Sequence, residues 1–268
     1  RNMSVQPALA ESLDIPDNKT YIFHLREGVT FHSGKAFDAT DVQYSFGLQK
    51  NPPPPGTVTS YYPKIASIDV VDKYTVRFNM ASPDATFLGY CAWLAYSPII
   101  PNGIYDRANM QISADGTGPF KVTQYVANSH VALERNSSYW RSGYPYLDSI
   151  TMKVLADEQA RFSALTSGAI DGATFSADIA GAASKNTDLV VLSGTTAAYN
   201  EMSFKLGGGK PWDDVRVRQA VNHAVDRQEI LDKVFDGKGQ YTSKIPPNYG
   251  NWPVSQEDLK NKYEAYDL

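Results

Sequence analysis

Residues 21–49 constrain the fold of this 268-residue chain more than any other stretch, because two different hydrophobic periods follow one another there. Tyr21, Phe23 and Leu25 alternate with Ile22, His24 and Arg26, the pattern of a half-buried strand. Val42 and Phe46 stand four apart, the spacing of a buried helix stripe. Between them Gly28 and Ser33-Gly34 read as turns. Asp38 falls where an N-cap is expected, and Asp41 lies near the positive end of the helix. The stretch is therefore a strand, a glycine-bearing turn and a capped helix, and nothing in it is catalytic.

Three regions follow from the rest of the pattern. The first covers 1–113: an irregular loop through prolines 52–55 and Gly56, a hairpin of strands 65–71 and 75–80 around Asp72-Lys73, and a short apolar helix over 87–94 stopped by Pro98 and Pro101. The second, 114–240, opens on glycines and a proline at 116–119, which read as a crossing between lobes. A hairpin of 120–125 with 130–134 comes next, then a strand over 150–155. Asp157 caps a helix over 158–167 with Phe162 and Leu165 inward, and Gly168 ends it. A strand over 170–175 completes a β-α-β reading, and 189–192 and 199–204 are further strand candidates. Residues 211–235 carry the strongest helical signal. Val217, Ala220, Val221, Ala224 and Val225 mark one face, and Asp226 with Glu229 forms a capping box for a second helix with Ile230, Leu231 and Val234 inward. The third region, 241–268, is loop-like, and both ends of the chain read as cut rather than finished.

Several function classes fit poorly. A net charge of −4 argues against a nucleic-acid surface. The longest apolar run, 87–100, is broken by Gly89, Ser97 and Pro98 and cannot cross a bilayer. Cys91 is the single cysteine, so neither a disulfide framework nor a thiolate metal site is expected, and it reads as a buried inert thiol. His24, His32, His130 and His223 are too scattered for a metal motif. No G-x-S-x-G elbow is present, and Asp171, Asp213 and Asp214 read as caps or surface charges. The glycines at 207–209 with Lys210 lack phosphate-loop spacing and read as a turn into the Pro211 helix. No enzyme and no cofactor are expected. Tyrosine is abundant, 17 copies against 11 Phe and 4 Trp, which suits a binding cleft or a tyrosine-rich β core.

Seven segments then occur in a familiar order: PALAES (7–12), FHLREGVTFHSG (23–34), DVQYSF (41–46), GTGPF (116–120), LERNSSYW (133–140), DDVRVRQA (213–220) and IPP (245–247). Together they resemble the family 5 extracellular solute-binding proteins, the peptide, nickel and opine binders of ABC importers. The resemblance implies a mixed α/β fold of the type II (cluster C) two-lobe periplasmic-binding-protein class that closes around its ligand at a hinge. It implies that 1–113 is a small accessory lobe, that 114–240 is the centre of the large lobe, and that 241–268 crosses toward a second ligand-gripping lobe absent from these residues. The function implied is capture of a peptide-like solute for a membrane permease by a periplasmic or extracellular monomer, with a lipid anchor among the family's options. An oligosaccharide, opine or nickel-complex receptor and the sensor domain of a regulator are the alternatives. The strand before DDVRVRQA borders the cleft in that family, which makes Tyr199, Asn200 and Met202 candidate ligand contacts. Tyr61 and Tyr62 after the proline loop, and Tyr241 and Tyr249 in the crossover, are the others. Arg216 and Arg218 lie two apart on a helix, cannot share a face and read as structural.

Overall fold

The computed structural model describes residues 5–50, 62–92, 97–104, 115–192, 194, 200–235, 237, 239–240, 242 and 254–259. Val5–Val154 form one compact unit, and the described residues from Leu155 onward form a second. The boundary expected at 113/114 falls inside the first unit.

The first unit is built on a four-stranded antiparallel sheet ordered β1-β2-β4-β3, with β1 Ala10–Asp17, β2 Thr20–Leu25, β3 Ile65–Asp72 and β4 Thr75–Met80. Alternation dictates its inner face: Val76, Phe78 and Met80 of β4 and Tyr21 and Leu25 of β2 are buried. Helix α1, Ala39–Lys50, lays Ala39, Val42, Ser45 and Phe46 on the same core. Helix α2, Phe87–Cys91, is shorter than the 87–94 expectation within the described residues, and it adds Phe87, whose ring lies 4.8 Å from Tyr21 and 5.3 Å from Phe78. Edge-on and tilted ring packing of this kind adds to simple area burial.

The start of α1 follows the sequence closely. The Asp38 carboxylate accepts from Thr40 N at 2.8 Å, while Asp41 reaches back to accept from Asp38 N at 3.0 Å, a reciprocal capping arrangement. Burial alone would push the Asp38 carboxyl up, but the Thr40 hydrogen bonds and the Lys35 charge more than offset this and hold it below the ordinary range. In the turn before it, Gly28 and Gly34 adopt φ values of 72° and 90°, the left-handed region that side chains avoid.

A second sheet in the same unit is ordered β5-β6-β7, with β5 Phe120–Val126, β6 His130–Arg135 and β7 Ser149–Lys153, all antiparallel. The β5–β6 turn places Asn128 at φ 59°, a conformation Asn tolerates better than most residues. Arg26 and His32 are among the side chains that join the two sheets. Arg26, just after β2, donates to the Glu11 carboxylate at 2.8 Å and to Ala8 O at 3.3 Å, and stacks over the Trp140 ring at 4.8 Å. His32 bonds to the crossing at 116–118.

In the second unit, α3 (Glu158–Thr166) starts on Asp157, whose side chain accepts from Ala160 N, and ends at Gly168 with φ 74°. Glu158 also holds the start of α4 (Ala177–Ala183), accepting from Ser176 N at 2.5 Å and from its hydroxyl at 3.0 Å. Three strand expectations fail here. Residues 170–175, 189–192 and 200–204 are irregular, so no β-α-β unit forms among the described residues. A strand exists only with a hydrogen-bonded neighbour, and none lies beside them among the described residues. Ala169 N and Ile170 N instead close the end of α3 on Ala164 O, and Phe175 packs edge-on against Phe162 at 5.9 Å.

The helical stretch at 211–235 divides as expected, into a 3-10 turn Pro211–Asp213, α5 (Val215–Ala224) and α6 (Arg227–Val234), with Asp226 accepting from Glu229 N at 2.8 Å. Its apolar face does not become core. No residue of either helix is buried, and Ile230 and Val234 are exposed, because no described layer covers them. A last short helix, α7 (Gln256–Asp258), is capped by Ser255. No helix among the described residues is long and apolar enough to cross a membrane.

Candidate functional site

Of the six residues put forward as primary ligand contacts, Tyr61, Tyr199 and Tyr241 lie outside the described residues, as does Tyr249. Asn200 and Met202 are both exposed, on an irregular segment rather than a strand. Phe204, the next in their alternation, turns instead to Trp212 at 6.2 Å, and Trp212 Nε1 donates to Lys205 O at 2.9 Å. Asn200 thus offers a free-standing amide, both donor and acceptor, and Met202 a deformable apolar surface.

Tyr62 is a correction. Its side chain is 2% exposed and belongs to the core of the first unit, 5.1 Å from Phe46, 6.1 Å from Phe87 and 6.3 Å from Tyr90. Burial is the main reason its hydroxyl is pushed well above the ordinary tyrosine range. The segment after the proline loop has no hydrophobic period that marks Tyr62 as inward, which is why sequence reasoning left it at the cleft.

Other groups resolve into architecture. Gly207, Gly208 and Gly209 have φ values of 95°, 83° and 70°, a run only glycine adopts readily. The Gly207 and Lys210 amides donate to the Asp213 carboxylate at 2.5 and 2.9 Å, so donors that would cradle a phosphate are already filled by this chain's own anion. Arg216 pairs with Asp214, and Arg218 donates to the carbonyls of Trp212 and Asp213, both closing the start of α5. His24 Nε2 lies 2.9 Å from Asp14, and His130 lies against Gln124 and Ser129. Among the described residues no group of three or more His, Cys, Asp or Glu could hold a metal ion.

Cys91 is half-buried, and burial pushes its thiol up to about 12. At pH 8 the reactive thiolate is then a very small minority. The native protein is therefore expected to resist disulfide-exchange thiol reagents until its first unit unfolds. Prompt stoichiometric labelling at pH 8 without denaturant would contradict this.

One concavity of about 310 Å³ opens beside the second sheet, lined mainly by Pro119, Tyr139, Arg141, Tyr144, Pro145 and Tyr146. Arg141 lies over the Tyr144 ring at 5.6 Å, and Tyr144 stacks at a tilt on Tyr146 at 4.8 Å. It is a largely apolar wall with a guanidinium at its rim. Sequence reasoning singled out Tyr139 and Trp140 only as part of a motif and missed the other rings, whose spacing follows no strand or helix period.

Comparison with known proteins decides what this architecture belongs to. The family described as bacterial extracellular solute-binding proteins, family 5 Middle, matches residues 4–268. The chain belongs to this family. Family 5 relatives include the glutathione-binding protein GsiB of Salmonella paratyphi A, 30% identical over 94% of this chain and 51% of its own length. The dipeptide-binding protein of Escherichia coli is 31% identical over 95% of this chain and 52% of its own. Among solved structures, the oligopeptide-binding protein AppA of Bacillus subtilis, in complex with a nonapeptide, superposes with a TM-score of 0.78 at 27% identity. That match covers 95% of this chain and 52% of AppA. The chain thus spans about half the length of the curated relatives it matches. The mixed α/β family 5 fold implied by the seven motifs is the fold found.

Proposed function

We propose that this chain is part of the substrate-binding component of an ABC importer that captures a peptide-like solute and delivers it to a membrane permease. The family match over residues 4–268 carries the reading. Several relatives' own names point to peptides within it, since glutathione, dipeptides and a nonapeptide are all short chains of amide groups, beside others named for heme or solved with nickel–histidine or mannopinic acid. No chemical step is involved. Burial of the solute at a lobe interface, fixed by a few polar groups, supplies affinity, and contacts to both lobes favour closure. The accessory lobe at 1–113, the large-lobe segment at 114–240 and the crossover at 241–268 are part of this proposal. So are action as a monomer outside the cytoplasm and retention by a lipid anchor.

Tyr199, Asn200, Met202, Tyr61 and Tyr241 remain the proposed solute contacts; Tyr62 does not. The exposed amide of Asn200 is the described group best suited to a peptide backbone. Calorimetric titration of the full-length protein with glutathione, dipeptides and longer peptides tests the reading. We expect at least one of these to bind, and Tyr199→Ala or Asn200→Ala to weaken it by roughly tenfold, about 1.4 kcal/mol, with little change in melting temperature. Binding of an opine or a nickel–histidine complex with no response to any peptide would overturn the peptide assignment.

A further inference from the structure

His32 sits at the tip of the turn between β2 and α1, against the crossing that leads to the second sheet. Its backbone amide donates to Gly116 O at 2.8 Å, and Ser33 N donates to the Asp115 carboxylate at 3.0 Å. Lys121 Nζ, from the start of β5, donates to His32 O at 3.3 Å. The imidazole Nε2 lies 3.0 Å from Gly118 O. A carbonyl oxygen can only accept, so Nε2 must carry the proton. The same carbonyl accepts from Asn136 Nδ2 at 3.1 Å, and Asn136, itself 2% exposed, donates its amide to Pro119 O at 2.8 Å. Both lone pairs of Gly118 O are therefore used. His32 Nδ1 is buried and has no hydrogen-bond partner among the described residues.

We propose that His32 is a proton-sensitive positioning residue: neutral, it fastens the 115–119 crossing to the 31–35 turn, and charged, it releases it. A second proton would have to sit on Nδ1, which faces neither water nor an acceptor. A buried donor left without a partner forfeits its hydration in full. The fastened state thus binds fewer protons than the released one. By linkage, the fastened state is favoured at higher pH and loses ground to the released one as protons are added. The surrounding charges are mixed. Asp115 in the crossing favours an imidazolium, whereas Lys35 in the turn and Lys121 on β5 oppose one, and Glu134 stands opposite Lys121 across the β5–β6 pair. None of them offers Nδ1 an acceptor, so the directional term decides the sign.

The test is amide hydrogen exchange on the full-length protein at pH 7.5 and 5.5, corrected for intrinsic rates, with β4 as internal reference. In the parent protein, peptides spanning 29–36 and 116–121 are expected to lose protection severalfold, up to about tenfold, beyond any change in β4, tenfold being the ceiling for one proton taken up by a released imidazole over this interval. His32→Gln keeps an N–H donor near Nε2 but cannot be charged, and is expected to hold its protection at both pH values. Equal acid loss in His32→Gln, or no loss in the parent, overturns the proposal. Should the variant not fold, nitrogen NMR of the parent's His32 ring decides it. Loss of protection in step with charging of the ring supports the assignment, and a ring that charges while protection holds overturns it.

Discussion

Asp41→Ala is expected to lower the stability of the first unit by about 2–6 kcal/mol, the cost of leaving two buried backbone amides without acceptors. Asp41 is fully buried, and three donors reach its carboxylate. One oxygen accepts from Asp38 N at 3.0 Å; the other accepts from Asn102 N at 2.7 Å and from Lys35 Nζ. The residue therefore ties the start of α1 to the turn before it and to the segment after α2. Alanine would leave two amides without acceptors in a dry site, and each such loss costs about 1–3 kcal/mol. Lys35→Ala removes the counter-charge of a fully buried carboxylate that keeps its two backbone donors, so an intermediate cost of about 1–3 kcal/mol is expected. Asp41→Asn, which keeps one acceptor but presents an amide to the second donor, should fall between them. Urea unfolding of the full-length protein and these three variants checks the order. An alanine variant within about 1 kcal/mol of the parent would show that the carboxylate is not the anchor its hydrogen bonds describe.

The sequence pattern exposed those parts of the fold whose partners are local. Tyr21, Phe23 and Leu25, the Val42 and Phe46 stripe, and the hairpin of β3 and β4 all declare themselves by period, and each lies where its period put it. β1 did not, because AESLDIPD carries a proline and faces mostly solvent, which leaves no alternation to read. The apparent strand at 170–175 failed for the complementary reason: its alternation is real, but a strand needs a neighbour that no local pattern can supply. Motif order identified the family without revealing what the motifs do for one another. PALAES, FHLREG and the Tyr-Trp pair meet around Arg26, which touches Ala8, Glu11 and Trp140. FHSG, GTGPF and LERN meet around Gly118 O, held by His32 and Asn136. Segments a hundred residues apart carry the resemblance because they build the joint between two sheets. That joint is scaffold, and it says nothing directly about which solute is bound.

The same distinction governs Tyr62→Ala, for which we expect a loss of about 3–5 kcal/mol, as for other large aromatic truncations in a packed core. Its ring fills the space between α1 and α2, with Phe46, Phe87 and Tyr90 around it, and alanine would leave a cavity that three rings cannot collapse into without breaking their own contacts. Tyr62→Phe retains the ring and loses only the hydroxyl's hydrogen bond, so about 1 kcal/mol is expected. Solute affinity, measured per folded molecule, should be unchanged in both variants, since a side chain 2% exposed has no surface to offer a ligand. A cleft residue predicts the reverse pattern: Tyr62→Ala folding as stably as the parent while binding solute more than about tenfold worse. Thermal unfolding and calorimetry on the same two variants separate these outcomes, because core packing enters the first measurement and solute contact enters the second. If core packing wins, then of the two adjacent tyrosines after the proline loop only Tyr61 is left as a proposed contact, and Tyr61→Ala becomes the substitution in which affinity should fall without stability.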